Sequence, residues 1–209
     1  MAARHPIFAR VFALLTRLEH RAGIDEHRSA LLAGASGRVL EVGCGNGQNF
    51  VHYPPAVTEV LAVEPEPYLR TLAERAARGL PVPIAVRPGD AEALPAEDGR
   101  FDAVVASLVL CSVPDQARAL AEMRRVLKPG GDLLFYEHVR AESPRRARMQ
   151  RRVDVVWPLF AGGCHTSRDT VAAIQAAGFE IAEIERFMMD AGPLAAPVAP
   201  VVRGRARLA

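Results

Sequence analysis

The chain has 209 residues, 50% hydrophobic and 24% charged, with a formal net charge of +2. That length supports one domain whose core needs no disulfide or structural metal. The small charge excludes the electrostatic footprint of a nucleic-acid binder, and no run of about eighteen apolar residues is present to cross a bilayer. No compact apolar segment ends in a small-residue cleavage site, so a secretory leader is not expected. Cys44, Cys111 and Cys164 stand far apart without a Cys-x-x-Cys pair. That spacing argues against a disulfide framework and against a zinc site, so no metal is expected and a reducing cytoplasm is the expected compartment.

Residues 5–21 carry an apolar stripe at helical spacing, Ile7, Phe8, Val11, Phe12, Leu15 and Leu18. A helix packed on the domain, a lid over a substrate pocket and a membrane-surface helix all fit it. The expected organisation is a helical cap or lid over 1–35 and one α/β domain over 36–209. From residue 37 strands and helices alternate. Short β runs fall at Arg38–Gly43, Thr58–Glu64, Ile84–Arg87, Phe101–Leu108 and Asp132–His138, with helices over Pro67–Arg78 and Asp115–Leu127. Pro129-Gly130-Gly131 is read as the turn from the second helix into the fifth strand. This alternation implies a mostly parallel sheet covered on both faces. Residues 144–160 read as an arginine-rich helix, its cluster Arg145, Arg146, Arg148, Arg151 and Arg152 taken as a solvated face. Ser167 reads as the N-cap of a helix through Ala177, and Phe179–Phe187 as a sixth strand. The tail Ala191–Val202 reads as a loop and a final edge strand.

Glu41-Val42-Gly43-Cys44-Gly45-Asn46-Gly47 closes the first strand with glycines that let backbone approach a ligand. A dinucleotide fingerprint requires G-x-G-x-x-G, and Gln48 stands where its third glycine belongs. The carboxylate inside the strand suits a cationic amino acid group and would repel a pyrophosphate. Glu64, at the next strand tip, is placed to accept two ribose hydroxyls. Gly89-Asp90-Ala91-Glu92 follows the third strand, with Asp90 placed to accept an adenine amine.

In this order the motifs resemble those of class I S-adenosylmethionine-dependent methyltransferases of the type 11 group. The resemblance spans roughly residues 36–190. It rests on Val39-Leu-Glu-Val-Gly-Cys-Gly-Asn-Gly, Val63-Glu-Pro, Gly89-Asp-Ala-Glu-Ala-Leu-Pro, Phe101-Asp-Ala-Val-Val-Ala and Glu122-Met-Arg-Arg-Val-Leu-Lys-Pro-Gly-Gly. It implies a Rossmann-like seven-stranded sheet with the last strand antiparallel, and S-adenosylmethionine across the first four strand ends. The implied cofactor residues are Glu41, Gly43, Cys44, Gly45, Asn46, Gly47, Asn49, Glu64, Pro65, Gly89, Asp90, Ala91, Glu92, Ser107 and Leu108.

Tyr53-Pro-Pro, Ser107-Leu-Val-Leu-Cys-Ser-Val, Glu137-His-Val and the stretch from Trp157 through Gly163-Cys-His-Thr-Ser-Arg-Asp are similar to the methyltransferase-like seven group. Those are membrane-associated alkyl thiol methyltransferases with bacterial relatives. The group's hydrophobic N-terminal anchor has no counterpart in this sequence, so membrane residence is not carried over. The narrower resemblance implies a small lipophilic thiol as methyl acceptor. A phospholipid amine, a quinone-like carbon or oxygen, and a non-catalytic cofactor-binding role are the alternatives. Candidate bases are His138, His165 and Asp154, because an imidazole with an ordinary pKa suits proton abstraction near neutrality. Cys111 and Cys164 read as small core residues. Peripheral membrane contact through the N-terminal helix, and a monomer or homodimer, complete the expectations.

Overall fold

Strands β1 (Gly37–Val42) and β4 (Phe101–Ser107) are runs of Val, Leu and Ala with few polar breaks, as strands covered on both faces must be. They pair in parallel at the centre of a seven-stranded sheet. The computed structural model describes residues 24–189 and 196–208, with Ala9, Arg10 and Ala13. The remaining strands are β2 (Val57–Val63), β3 (Ile84–Arg87), β5 (Leu127–His138), β6 (Phe179–Met188) and β7 (Pro200–Leu208), in the order β3-β2-β1-β4-β5-β7-β6. β7 pairs antiparallel with both β5 and β6, and the other pairings are parallel. The chain winds outward from β1 through β3, then returns to the other side of β1 as β4. Connections therefore leave β1 and β4 toward opposite faces, opening a crevice at their carboxyl ends.

The period of two along each strand divides the core. Leu40, Val42, Val104, Ala106, Leu133 and Phe135 face helix α3 (Gln116–Val126) through Leu120 and Met123. Val39, Val105, Leu134 and Tyr136 face the other layer, with Leu31 and Leu32 of helix α1 (Ile24–Leu32). Each fully buried Leu, Met or Phe contributes roughly 1.5–3 kcal/mol relative to exposure. Helix α2 (Pro67–Ala76) starts with proline at its first turn and a Glu66 cap. The described Ala9 and Ala13 are helical and pack on Leu69 and Leu72 of α2. The stripe residues Ile7, Phe8, Val11, Phe12, Leu15 and Leu18 lie outside the described residues, as do 190–195 in the tail. No described helix is long and apolar enough to cross a membrane.

Four sequence expectations change. Pro129-Gly130-Gly131 is not the entry to β5, because Leu127 already pairs with Phe101 and the chain bulges before Asp132 pairs with Ala103. The final strand is not an edge: β7 lies between β5 and β6, and β6 is the exposed margin. The helix over 144–160 divides into α4 (Pro144–Val153) and α5 (Trp157–Phe160), broken where Asp154 turns inward. Ser167 is not the N-cap of α6 (Thr170–Ala176). Asp169 accepts the Ala172 amide there, while the Ser167 hydroxyl donates to Asp154.

Candidate active site

At the carboxyl end of β1 the chain turns through Gly43, Gly45 and Gly47, all at positive φ. Gly43 shows why a side chain is barred: at φ +63, a Cβ would stand 2.7 Å from Val109 Cγ2. The Cys44 amide donates to the Val63 carbonyl (3.0 Å) and the Gly45 amide to Glu64 Oε2 (2.8 Å), pinning the turn to the end of β2.

Beneath the turn lies a buried polar network. Glu41 is 2% exposed and accepts from Asn49 Nδ2 (2.9 Å) and the Tyr53 hydroxyl (2.7 Å). Arg28, from α1, donates to Asn49 Oδ1 (2.9 Å) and Gln48 Oε1 (2.6 Å). Burial pushes the Glu41 carboxyl up to about 7, against the lowering pull of Tyr53, Asn49 and Arg28 and with a further rise from Glu64. Both Glu41 oxygens are thus engaged, and the carboxylate shapes the site through Asn49 as well as facing it. A recess of about 130 Å³ is lined by Arg28, Glu41, Cys44, Asn46, Asn49 and Ser107 among others. Ser107 Oγ, on its wall, is buried with no hydrogen-bond partner among the described residues.

The recess meets a larger cleft of about 370 Å³ at Gly43, Glu64 and Leu108. Glu64 accepts from the amides of Gly45 (2.8 Å) and Glu66 (2.9 Å), which leaves each oxygen a lone pair for another donor. Burial raises its pKa and the two amides oppose the rise. Pro65, Gly89, Asp90 and Ala91 line the same cleft, with Asp90 Oδ1 closing a short turn on the Glu92 amide (3.1 Å). Glu92 stands outside the lining of the cleft, and its Oε1 accepts the Asp115 amide (2.9 Å) at the start of α3. Leu108 takes φ +60, its amide held by the Tyr136 carbonyl (2.7 Å).

The far wall is Val109, Ser112, Val113 and Pro114 on one side and Gly162, Gly163 and His165 on the other. Glu137, fully buried, holds the first side: its oxygens accept the amides of Val109 (2.9 Å), Leu110 (2.8 Å) and Cys111 (3.0 Å). Arg168 ties the two sides together by donating to the carbonyls of Leu110 (2.8 Å) and Val113 (2.6 Å). Gln150 bonds the Ala141 amide and the carbonyls of Val139, Thr166 and Pro197.

The three candidate bases separate. His165 is in the cleft wall, its pKa lowered by burial and by the Arg168 charge. His138 does not line the cleft; its Nδ1 faces Cys164 Sγ (3.5 Å) and Cys111 Sγ (3.7 Å). Asp154 accepts from the amides and hydroxyls of Thr166 and Ser167. Burial acts to raise its carboxyl, but those four donors outweigh it and hold the pKa below the usual range. A carboxylate so engaged is a clamp on the turn, not a free base. Sequence reading missed Arg28 and Gln150, neither of which belongs to a glycine or acidic strand-end pattern. Tyr53, Glu137 and Arg168 were noted only as part of a resemblance.

A glycine-rich turn, a buried hydroxyl without a partner among the described residues beside Asn46 and Asn49, and a carboxylate with open lone pairs fit a ligand with a zwitterionic end and a sugar. The comparisons agree. Residues 40–135 match the family model described as a methyltransferase domain. The chain is 38% identical over 185 residues to the human thiol S-methyltransferase TMT1B, covering 84% of this chain and 73% of that protein. It is 38% identical over 163 residues to the human thiol S-methyltransferase TMT1A, covering 74% of this chain and 66% of that protein. A solved S-adenosylmethionine-dependent methyltransferase from Thermotoga maritima, described as a possible histamine N-methyltransferase, superposes with a TM-score of 0.71 at 26% identity, covering 97% of this chain and 99% of that chain. The chain belongs to the class I S-adenosylmethionine-dependent methyltransferases.

Proposed function

We propose that this methyltransferase acts on the sulfur of a small lipophilic thiol. The observation that carries the reading is the apolar far wall of the cleft, Val109, Val113 and Pro114 opposite Gly162 and Gly163, in a chain whose relatives are named thiol S-methyltransferases. The segment leading into Gly162 adds Val155, Val156, Leu159 and Phe160, all exposed, as an apolar approach for a greasy acceptor.

S-adenosylmethionine, when bound, supplies an electrophilic methyl on a positively charged sulfur. Ser107, Asn49 and Asn46, backed by Glu41 and Arg28, hold its amino acid end. Glu64 accepts the ribose hydroxyls, and Asp90 with Ala91 meets the adenine. Gly43, Gly45 and Gly47 let the backbone approach closely, with Cys44, Pro65, Gly89 and Leu108 completing the walls. His165 stands on the acceptor side. A thiol has a pKa of about 8.5, so a few per cent is already thiolate at neutral pH. The residues therefore contribute chiefly alignment and exclusion of water, which at best supply on the order of 7–11 kcal/mol. Ala9 and Ala13 rest on Leu69, a residue of the recess wall, which supports a lid role for the N-terminal segment over 1–35. A single domain over 36–209, a small-molecule partner and a reducing cytoplasm, with its three free cysteines, complete the proposal.

The test is product analysis by mass spectrometry with methyl-labelled cofactor and matched alkyl thiol, amine and phenol acceptors. Labelled thioether is expected from the thiols. Labelled amine or phenol products with inert thiols would replace this acceptor class with another.

A further inference from the structure

The sequence spacing of the cysteines argued against a metal site, yet the fold gathers two of them around an imidazole. Cys111 follows β4, His138 ends β5, and Cys164 lies in the turn after α5. Cys111 and Cys164 are 1% and 5% exposed, and one donor atom from each of the three residues lies within 4.8 Å of the others. The site has no place in the methyl-transfer reading above, which uses the cleft on the other side of the wall.

A hydrophobic core gains little from this trio. Thiols are weak hydrogen-bond partners for an imidazole, and apolar side chains would fill the same volume without desolvating a ring nitrogen. The separations suit a different occupant. Tetrahedral zinc binds thiolate sulfur at about 2.3 Å and imidazole nitrogen at about 2.0–2.1 Å, which places sulfur and nitrogen about 3.6 Å apart. The two sulfur–nitrogen separations here are 3.5 and 3.7 Å. Two thiolates and a neutral imidazole around a divalent cation carry no net charge, so a filled site would bury no uncompensated charge.

The donors are also positioned by bonds that do not depend on a metal. Glu137 fixes the Cys111 amide, the His165 amide donates to the Cys111 carbonyl (2.8 Å), and β7 pairs Val201 with His138. A Cβ on Gly163 would meet the Ser112 carbonyl oxygen at 2.8 Å, so the two cysteine-bearing loops close on each other only because position 163 is glycine. Such outer hydrogen bonds orient ligands in known metal sites.

We propose that Cys111, His138 and Cys164 form a three-ligand site for a thiophilic divalent metal, zinc by preference, with the fourth position left to water or an added ligand. Sulfur and nitrogen donors select zinc or cobalt over magnesium and calcium, which take oxygen.

The experiment uses the full chain kept reduced throughout. Protein expressed in zinc-supplemented medium is measured for metal content, then stripped with chelator and titrated with cobalt(II). About one zinc per chain and a saturable thiolate-to-cobalt absorption band are expected. Cys164→Ser and His138→Ala should each weaken cobalt binding at least tenfold, while Cys44→Ser should leave the band intact. Circular dichroism and a cooperative urea-unfolding transition confirm that each variant is folded. Metal-free protein from that medium together with no cobalt band in the folded wild type overturns the proposal. So does a band that survives in folded Cys164→Ser but disappears in Cys44→Ser.

Discussion

The two sides of the cleft are built by different means. The side formed by the ends of β1, β2 and β3 is made of short turns whose shape comes from local residues: glycines at positive φ, Asp90 closing its own turn, and Glu64 receiving amides from the adjacent loops. The side formed by the loop after β4 and the segment from α4 to α6 is held by long-range polar staples. Glu137 reaches back to residues 109–111, Arg168 to Leu110 and Val113, and Gln150 to segments on either side of it. The first construction makes a fixed receptor from few residues. The second ties together loops that are far apart in sequence, so its shape depends on a few buried side chains.

The contrast is sharpest at Glu137. Replacing it with alanine strands three buried amides, and each unsatisfied group costs roughly 1–3 kcal/mol. Urea unfolding of Glu137→Ala should show a loss of several kcal/mol, whereas Glu137→Gln, which keeps an acceptor, should lose less. Equal stability of both variants with wild type would mean that the far wall does not depend on this staple.

On the near side, Glu41 makes a pH-dependent prediction. Its folded pKa, about 7, lies above the ordinary value of 4.5, so the folded state binds a proton more tightly than the unfolded chain. Its contribution is complete below pH 4.5 and is lost as pH rises through about 7, a change on the order of a few kcal/mol. Glu41→Gln keeps partners for Asn49 and Tyr53 and removes the titration. Across that window, the unfolding free energy of the variant should therefore rise relative to wild type. A constant difference would place the titration elsewhere.

A smaller effect is expected at Asp154. Asp154→Ala releases two amides and two hydroxyls in the partly buried turn at Thr166 and Ser167, for a loss of about 1–2 kcal/mol. Because the turn precedes Arg168 and follows His165, acceptor KM should rise while S-adenosylhomocysteine affinity stays unchanged. A fall in cofactor affinity instead would show that the two sides are not independent.

This division also explains what the sequence made legible. Strand periodicity, glycines after β1 and acids at strand tips are local signals, so β1 to β5 could be read apart from the start of β5, and the cleft-lining residues from Glu41 to Asp90 stood out as candidates. Glu92 marks the limit of such signals, because an acid in a turn can serve a ligand or a neighbouring helix start, and the approach of Asp115 is visible only in the fold. The position of β7 was hidden because an antiparallel insertion between β5 and β6 has no local signature. Gln150, Arg168 and the gathering of Cys111, His138 and Cys164 are likewise products of the folded topology. His138 stood out only as a candidate base, and nothing in the segments of Cys111, His138 and Cys164 points from one to the others.

The most direct test is calorimetric titration of S-adenosylhomocysteine into wild type, Glu64→Ala and His165→Ala. One site per chain is expected in wild type, with affinity reduced about tenfold to a hundredfold in Glu64→Ala by loss of a charge-assisted acceptor and unchanged in His165→Ala. Equal affinity in wild type and Glu64→Ala, or loss of binding in folded His165→Ala alone, would contradict the placement of the cofactor at the ends of β1 and β2.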